Sequence, residues 1–173
     1  MRNFNHKIFR ESGLLNNGGK ALHRGIEVSG AIYPVEGLKL YGSGAIQKAT
    51  IEYGMNKGNR VPYAPRYTAT AGAKYQCGVG EGTLTTNVYG NFVSSQFSDL
   101  ANTLEGSANG NVGLIPKFFL LNATASYSYK QWNFNLNALN LLNRKYFTTR
   151  HNAWGGIMPA ATISVLGGVG YQF

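Results

Sequence analysis

The chain has 173 residues with 16 Lys and Arg against 7 Asp and Glu, a net charge of +9, yet charged residues are only 13% of it and aromatics another 13%. Soluble domains usually carry about 25% charged residues, so this composition argues against a densely charged soluble surface. The basic residues are scattered, with no run longer than Arg144-Lys145, which argues against the clustered stripe of a nucleic-acid-binding face.

The opening Met1-Arg2-Asn3-Phe4-Asn5-His6-Lys7 has no apolar leader region, and no window is apolar enough for a transmembrane helix. Residues 2–10 read as the tail of an earlier strand. Strands are then predicted over about 20–34 and 38–53, joined by the short turn Pro34-Val35-Glu36-Gly37. A longer loop covers about 54–65. Over 66–78, Tyr67, Ala69, Ala71, Ala73, Tyr75 and Cys77 alternate with Thr68, Thr70, Gly72, Lys74 and Gln76. That period of two is the signature of a strand with unlike faces. Gly78-Val79-Gly80-Glu81-Gly82 is a second short turn into a strand over about 82–98, followed by a long loop at 99–116.

The strand over 117–130 sets Phe119, Leu121, Ala123, Ala125, Tyr127 and Tyr129 against Leu120, Asn122, Thr124, Ser126, Ser128 and Lys130. After Lys130-Gln131, a strand over 132–147 puts Trp132, Phe134, Leu136 and Ala138 on one face and Asn133, Asn135 and Asn137 on the other. A loop at 148–159 leads to a last strand over 160–173, where Ile163, Val165, Gly167, Val169, Tyr171 and Phe173 share a face.

Asparagines make a poor dry core but suit a water-filled lumen, and the opposite apolar face suits lipid. Short turns on one side and long loops on the other are the layout of outer-membrane barrels, and these strands exceed the roughly 9–11 residues needed to cross a bilayer at a tilt. The expected fold is therefore all-β, an antiparallel transmembrane β-barrel wall of seven to eight strands. Tyr67, Tyr75, Tyr127, Tyr129, Trp132 and Tyr171 read as membrane-interface anchors. Gly168, Tyr171 and the final Phe173 look like the terminal signal read by the barrel assembly machinery, with Leu166 departing from the polar residue usual before the glycine. A soluble β-sandwich is disfavoured, because it needs a dry apolar core between its sheets.

Four blocks in order resemble TonB-dependent receptors. Gly19-Lys20-Ala21-Leu22-His23-Arg24-Gly25-Ile26-Glu27 is similar to the family's "GKxxxxGxE" strand. Gly37 to Ser43, "GLKLYGS", follows it. Asn59 to Ala69, "NRVPYAPRYTA", resembles a family loop-to-strand junction, and Asn137 to Phe147 resembles "N-x-x-N-L-x-D/N-x-x-Y". Ser94 to Pro116 and Gly155 to Ala160 look most like the ferric citrate receptor branch. The resemblance implies that residues 1–173 are the C-terminal part of a 22-stranded barrel, with the signal peptide and plug lying elsewhere in a longer protein of the cell outer membrane. It implies a ferric siderophore ligand, no cofactor, lipid contact, and energy coupling to the TonB complex only through that missing N-terminal part. The alternative is a complete eight-stranded outer-membrane barrel of structural or adhesive role, with residues 2–10 as the eighth strand.

No catalytic constellation is present: His6, His23 and His151 lack metal-ligand spacing, and the single cysteine, Cys77, permits neither an internal disulfide nor a cysteine-based metal site. For an anionic ferric chelate, the candidates from the long loops are Arg60, Arg66, Arg150 and His151, because a guanidinium fork pairs bidentately with carboxylates. Gln96 and Asn102 are neutral hydrogen-bonding candidates, and Trp154 is a candidate cover for the ligand.

Overall fold

A computed structural model describes residues 9–11, 14–16, 20–151 and 156–173. Among these, every regular element is a strand. The expected strand at 2–10 falls largely outside the described residues. Its described end belongs to β1 (Phe9–Glu11), which pairs antiparallel with β2 (Leu14–Asn16).

The wall comprises β3 (Ala21–Val35), β4 (Leu38–Ile51), β5 (Tyr67–Val79) and β6 (Gly82–Val93), continued after a loop ribbon of β7 (Gln96–Phe97) and β8 (Leu114–Ile115). It then runs through β9 (Phe118–Tyr129) and β10 (Trp132–Leu139), past a second ribbon of β11 (Phe147–Arg150) and β12 (Ile157–Pro159), to β13 (Ser164–Tyr171). The long strands form one seven-stranded antiparallel sheet in the order β13-β10-β9-β6-β5-β4-β3. Its outer strands, β3 and β13, do not pair with each other, and β1 pairs with β2 rather than with either edge. The described strands thus make an open segment of wall. The closed eight-stranded alternative finds no support in this pairing.

Register confirms the alternation. One cross-strand row runs Ile32, Leu40, Ala73, Val88, Ala123, Ala138 and Val165. The adjacent row on the opposite face runs Lys39, Lys74, Asn87, Thr124, Asn137 and Leu166. The first row is apolar throughout; the second is polar except for Leu166. Extending the parity along each strand leaves no charged residue on the apolar face between the rows of Ile26–Ile46–Tyr67 and Leu38–Tyr75. Such a face belongs in hydrocarbon, where ionised groups are costly, and Val28, Ile32 and Val165 are accordingly more than 60% exposed.

Three tight turns close hairpins at one end. Gly37 has φ +76° and sits so close to the Gln76 carbonyl that a Cβ there would lie 2.2 Å from it, so no other residue fits this approach. At the same end lie Tyr75, Tyr127, Tyr129, Trp132 and Tyr171, and Tyr67 lies at the other. Trp132 and Tyr171 face each other across β10 and β13 and meet edge-to-face with centroids 4.8 Å apart.

Two strands end earlier than the alternation suggests. The predicted strand over 82–98 leaves the sheet after Val93, where Ser94 closes the ladder: its N–H donates to the Tyr67 carbonyl and its Oγ accepts from the Tyr67 N–H. Gln96 and Phe97 then pair with Ile115 and Leu114 in a separate two-stranded sheet. The predicted strand over 132–147 ends at Leu139, because Asn140 adopts φ +52° and Asn143 φ +48°. Asparagine tolerates this left-handed conformation, so the chain turns where a β-branched residue would continue the strand.

Candidate functional site at the loop end

Burial concentrates at the end opposite the tight turns. Ala21, Ala49, Ile51 and Val61 form a small apolar cluster with Ala64 and Leu100 against it. It packs the loop over 52–66 onto the upper ends of β3 and β4 and brings in the loop over 94–117. Ile115 is the one fully buried large side chain among the described residues.

Side-chain hydrogen bonds to backbone join the loops. Asn102 stands at φ +59°. Its Oδ1 accepts from the Arg60 N–H at 2.7 Å and its Nδ2 donates to the Arg60 carbonyl at 2.8 Å. The amide thus imitates a strand partner for residue 60. Asn59 Nδ2 donates to the Leu100 carbonyl at 2.8 Å. The Tyr63 hydroxyl donates to the Arg150 carbonyl at 2.8 Å, which brings in the third loop.

Arg150 is buried, and its guanidinium donates to the carbonyls of Gly110 at 3.0 Å and Leu114 at 3.2 Å while lying 5.1 Å from the Phe147 ring centroid. Its Nε makes no hydrogen bond. The Arg60 guanidinium lies 5.3 Å from the Phe97 ring centroid and donates to the Ala64 carbonyl at 3.4 Å, a long bond that leaves most of its donors available. Gln96 is buried in β7, and Asn102 is committed to Arg60 and Asp99. His151 is exposed and its backbone N–H donates to the Gly156 carbonyl. Arg66 is exposed and separate from this group, its guanidinium 5.4 Å from the Tyr67 ring centroid. Trp154 lies outside the described residues.

The loop end therefore brings Arg60, Gln96, Asn102 and Arg150 into one connected cap, with His151 beside it and Arg66 on its flank. Reading the sequence alone missed other residues that build the loop end, Asn59, Tyr63 and Asn140. Asn140, only 3% exposed, accepts from the Arg144 N–H and donates to the carbonyls of Arg144 and Ala161 through its side chain, and its backbone N–H donates to Asn122 Oδ1. Its position in the "N-x-x-N-L" block was the available signal. Tyr63 and Asn59 stand in the "NRVPYAPRYTA" block, but their partners, 87 and 41 residues away, could not be read from it. Electrostatically, residues 52–66, 94–117 and 140–163 contain Lys57, Arg60, Arg66, Lys117, Arg144, Lys145 and Arg150 against only Glu52, Asp99 and Glu105. Among the described residues no group of His, Cys, Asp and Glu could hold a metal ion.

The sequence pattern of the family described as TonB dependent receptor-like, beta-barrel matches residues 3–141. The chain belongs to this family. Among solved structures, the unliganded ferric citrate transporter FecA is 29% identical, with the match covering 97% of this chain and 27% of that one at a TM-score of 0.79. BauA, the ferric preacinetobactin receptor of Acinetobacter baumannii, is 25% identical over 99% of this chain and 26% of its own, at a TM-score of 0.75. The ferric yersiniabactin uptake receptor FyuA of Yersinia pestis, at 20% identity and a TM-score of 0.74 over 90% of this chain and 24% of its own, shares the fold. The chain spans about a quarter of the length of these receptors. TonB-dependent receptor barrels are outer-membrane transport proteins rather than enzymes, and this chain is a segment of such a barrel wall with its long loops gathered at one end.

Proposed function

We propose that the protein carrying this chain is a TonB-dependent outer-membrane receptor that imports a ferric siderophore, and that its ligand is an anionic ferric chelate of the citrate type. The observation that carries the ligand class is the cationic surplus of the loops, where seven Lys and Arg stand against three carboxylates. The 29% identity to a ferric citrate transporter points the same way. An anionic chelate approaching the rim meets a positive field that raises its local concentration. Arg60 and His151 are then the side chains that meet the chelate. Gln96, Asn102 and Arg150 act one step behind, holding the loops that present them. Arg66, stacked on the flank, serves the field rather than a direct contact. Transport draws on the TonB complex through the remainder of the protein, and insertion of the wall relies on the barrel assembly machinery reading Gly168, Tyr171 and Phe173.

The test is uptake of radioactive iron by a receptor-deficient host expressing the full-length protein, with ferric citrate and a ferric catecholate compared in the presence and absence of TonB. TonB-dependent uptake from ferric citrate, weakened about tenfold in KM by Arg60→Gln through loss of a charge-assisted contact, is the expected result. Uptake from the catecholate alone would overturn the ligand class. No TonB-dependent uptake of any chelate would overturn the transport reading.

A further inference from the structure

The inward, polar face of the wall carries cations of its own, far from the loops. Near the tight turns Lys39 of β4 stands directly opposite Lys74 of β5, and Asn87 of β6 is the next member of the same row. Like charges in directly opposed positions repel, so this pair destabilises the sheet unless an anion lies between the two ammonium groups. No carboxylate of the described residues does so: their ion pairs join Lys20 to Glu52 and Lys130 to Glu81. The groups around the lysines are donors and rings. The Tyr41 hydroxyl donates to Asn87 Oδ1 at 3.0 Å, which leaves the Asn87 amide nitrogen as a donor. The rings of Tyr33 and Tyr41 lie 5.8 and 5.9 Å from Lys39 Nζ and hold that ammonium in place by cation–π attraction.

A cleft of about 650 Å³ opens here, lined by Tyr33, Glu36, Lys39, Lys74, Gln76 and Thr83. Its position separates it from the loop end. Thr50, which bridges to Arg60, lies eleven residues beyond Lys39. At about 3.3 Å per residue, about 36 Å of strand divides the two cationic groups, too far for one small chelate to touch both. On the inward face of β4 the intervening residues are Tyr41, Ser43, Ala45, Gln47 and Ala49. On β5 they are Gly72, Thr70 and Thr68. None is charged, while β3 contributes Glu27 opposite Ala45. An anion descending from the loops along β4 and β5 passes this acid and meets its next cations at Lys39 and Lys74. Short turns mark the periplasmic end of an outer-membrane barrel, so the lysine pair stands near the exit of the lumen.

We propose that Lys39 and Lys74 form a second binding site for the anionic chelate, at the periplasmic end of the lumen, where the two ammonium groups and the Asn87 amide hold its carboxylates. This inference rests on the reading of the ligand as an anionic ferric chelate and adds where that ligand stops after leaving the loops. A citrate-type chelate presents several carboxylates, so a single molecule can lie between both lysines and remove their repulsion. Lysine acts here as a point charge on a flexible stem. Its ion pairs in a water-filled lumen are weak, and weak binding suits an exit, since a tight site would retain the chelate.

The test is equilibrium dialysis of the full-length receptor in detergent, where both ends of the lumen open to solvent, against radioactive ferric citrate and, separately, a neutral ferric trihydroxamate. The wild type shows two classes of ferric citrate site, and the neutral chelate does not fill the second. That second class weakens about fivefold in Lys39→Gln or Lys74→Gln, the loss of one partly solvated ion pair, and disappears in Lys39→Gln/Lys74→Gln. It returns in Lys39→Arg/Lys74→Arg, which keeps both charges. Arg60→Gln weakens the first class and leaves the second. A second class that survives the double Gln variant, or that the neutral chelate fills equally, would overturn the proposal. So would a single class in the wild type together with a lowered unfolding midpoint in the double Gln variant, which would give the lysines to carboxylates elsewhere in the protein. Heat-dependent gel mobility checks folding, and the single variants carry the test should the double variant not fold. A first class without a second overturns this inference alone, whereas the absence of both overturns the ligand reading on which it rests.

Discussion

The wall and the cap of this molecule are stabilised by different means. In the wall, backbone ladders do the joining, and side chains need only match the medium each face meets. Outward positions are apolar and widely exposed, inward ones polar, and hardly any side chain of the mid-wall is buried. In the cap, the backbone is irregular and individual side chains replace the ladder: Asn102 acts as a strand partner for Arg60, Asn140 organises the turn above β10, and Arg150 collects carbonyls from another loop. The wall should thus tolerate any change that respects polarity, whereas the cap should depend on single residues whatever their polarity.

The largest effect should come from breaking the polarity rule. Ala71→Arg places a charge mid-way along the outward stripe of β5, between Tyr67 and Tyr75, and is expected to cost about 2–4 kcal/mol. Thr70→Arg, one residue away on the inward face, should cost much less. Unfolding of the full-length barrel from lipid vesicles by denaturant measures both, and equal costs would break the assignment of faces.

Next comes Arg150→Ala, which abandons the carbonyls of Gly110 and Leu114. A hydrogen bond to a charged donor contributes about 1.5–3 kcal/mol, so local opening of residues 99–116 should rise by at least an order of magnitude. Hydrogen exchange of those amides, with the wall strands as internal reference, reads this directly. Exchange that stays slow would mean the cap does not hang on Arg150.

Asn102→Ala should cost about 1–2 kcal/mol, since it removes two backbone partners at once and leaves alanine at a positive φ. Proteolytic nicking within 52–66 and 94–117 should increase together, because the bond couples both loops. Smallest of all is Glu81→Gln, which removes the ion pair with Lys130 at 3.7 Å between two well-exposed side chains. Pairs of this kind contribute about 0–1 kcal/mol, and no measurable change in the unfolding midpoint is expected.

The same division explains what could be read in the chain beforehand. Wall strands repeat one local rule, and so Phe119 to Tyr129 or Trp132 to Ala138 disclose their faces without any knowledge of neighbours. The ends of β6 and β10 were not legible because alternation continues in composition past Val93 and Leu139, while the backbone is turned by Ser94 and by Asn140 at positive φ. The charges of the rim were visible as residue types. Which of them face solvent and which are tied down was not, since Asn102 meets Arg60 across 42 residues and Arg150 meets Gly110 across 40. Contacts of that span depend on how three loops converge, a property absent from any local window.

Tyr41 of β4 lies across Gly72 of β5, where an added Cβ would come within 2.6 Å of the ring, and its hydroxyl reaches Asn87 of β6 at 3.0 Å. A slip of β5 by two residues would keep the ladder pattern and both face polarities, yet would push Thr70 or Lys74 beneath that ring in place of the glycine. A slip by one would turn the strand inside out. The tyrosine thus works as a key cut for a single notch: a backbone ladder alone accepts many alignments, and this one side chain, spanning three strands, lets the growing wall recognise the correct one.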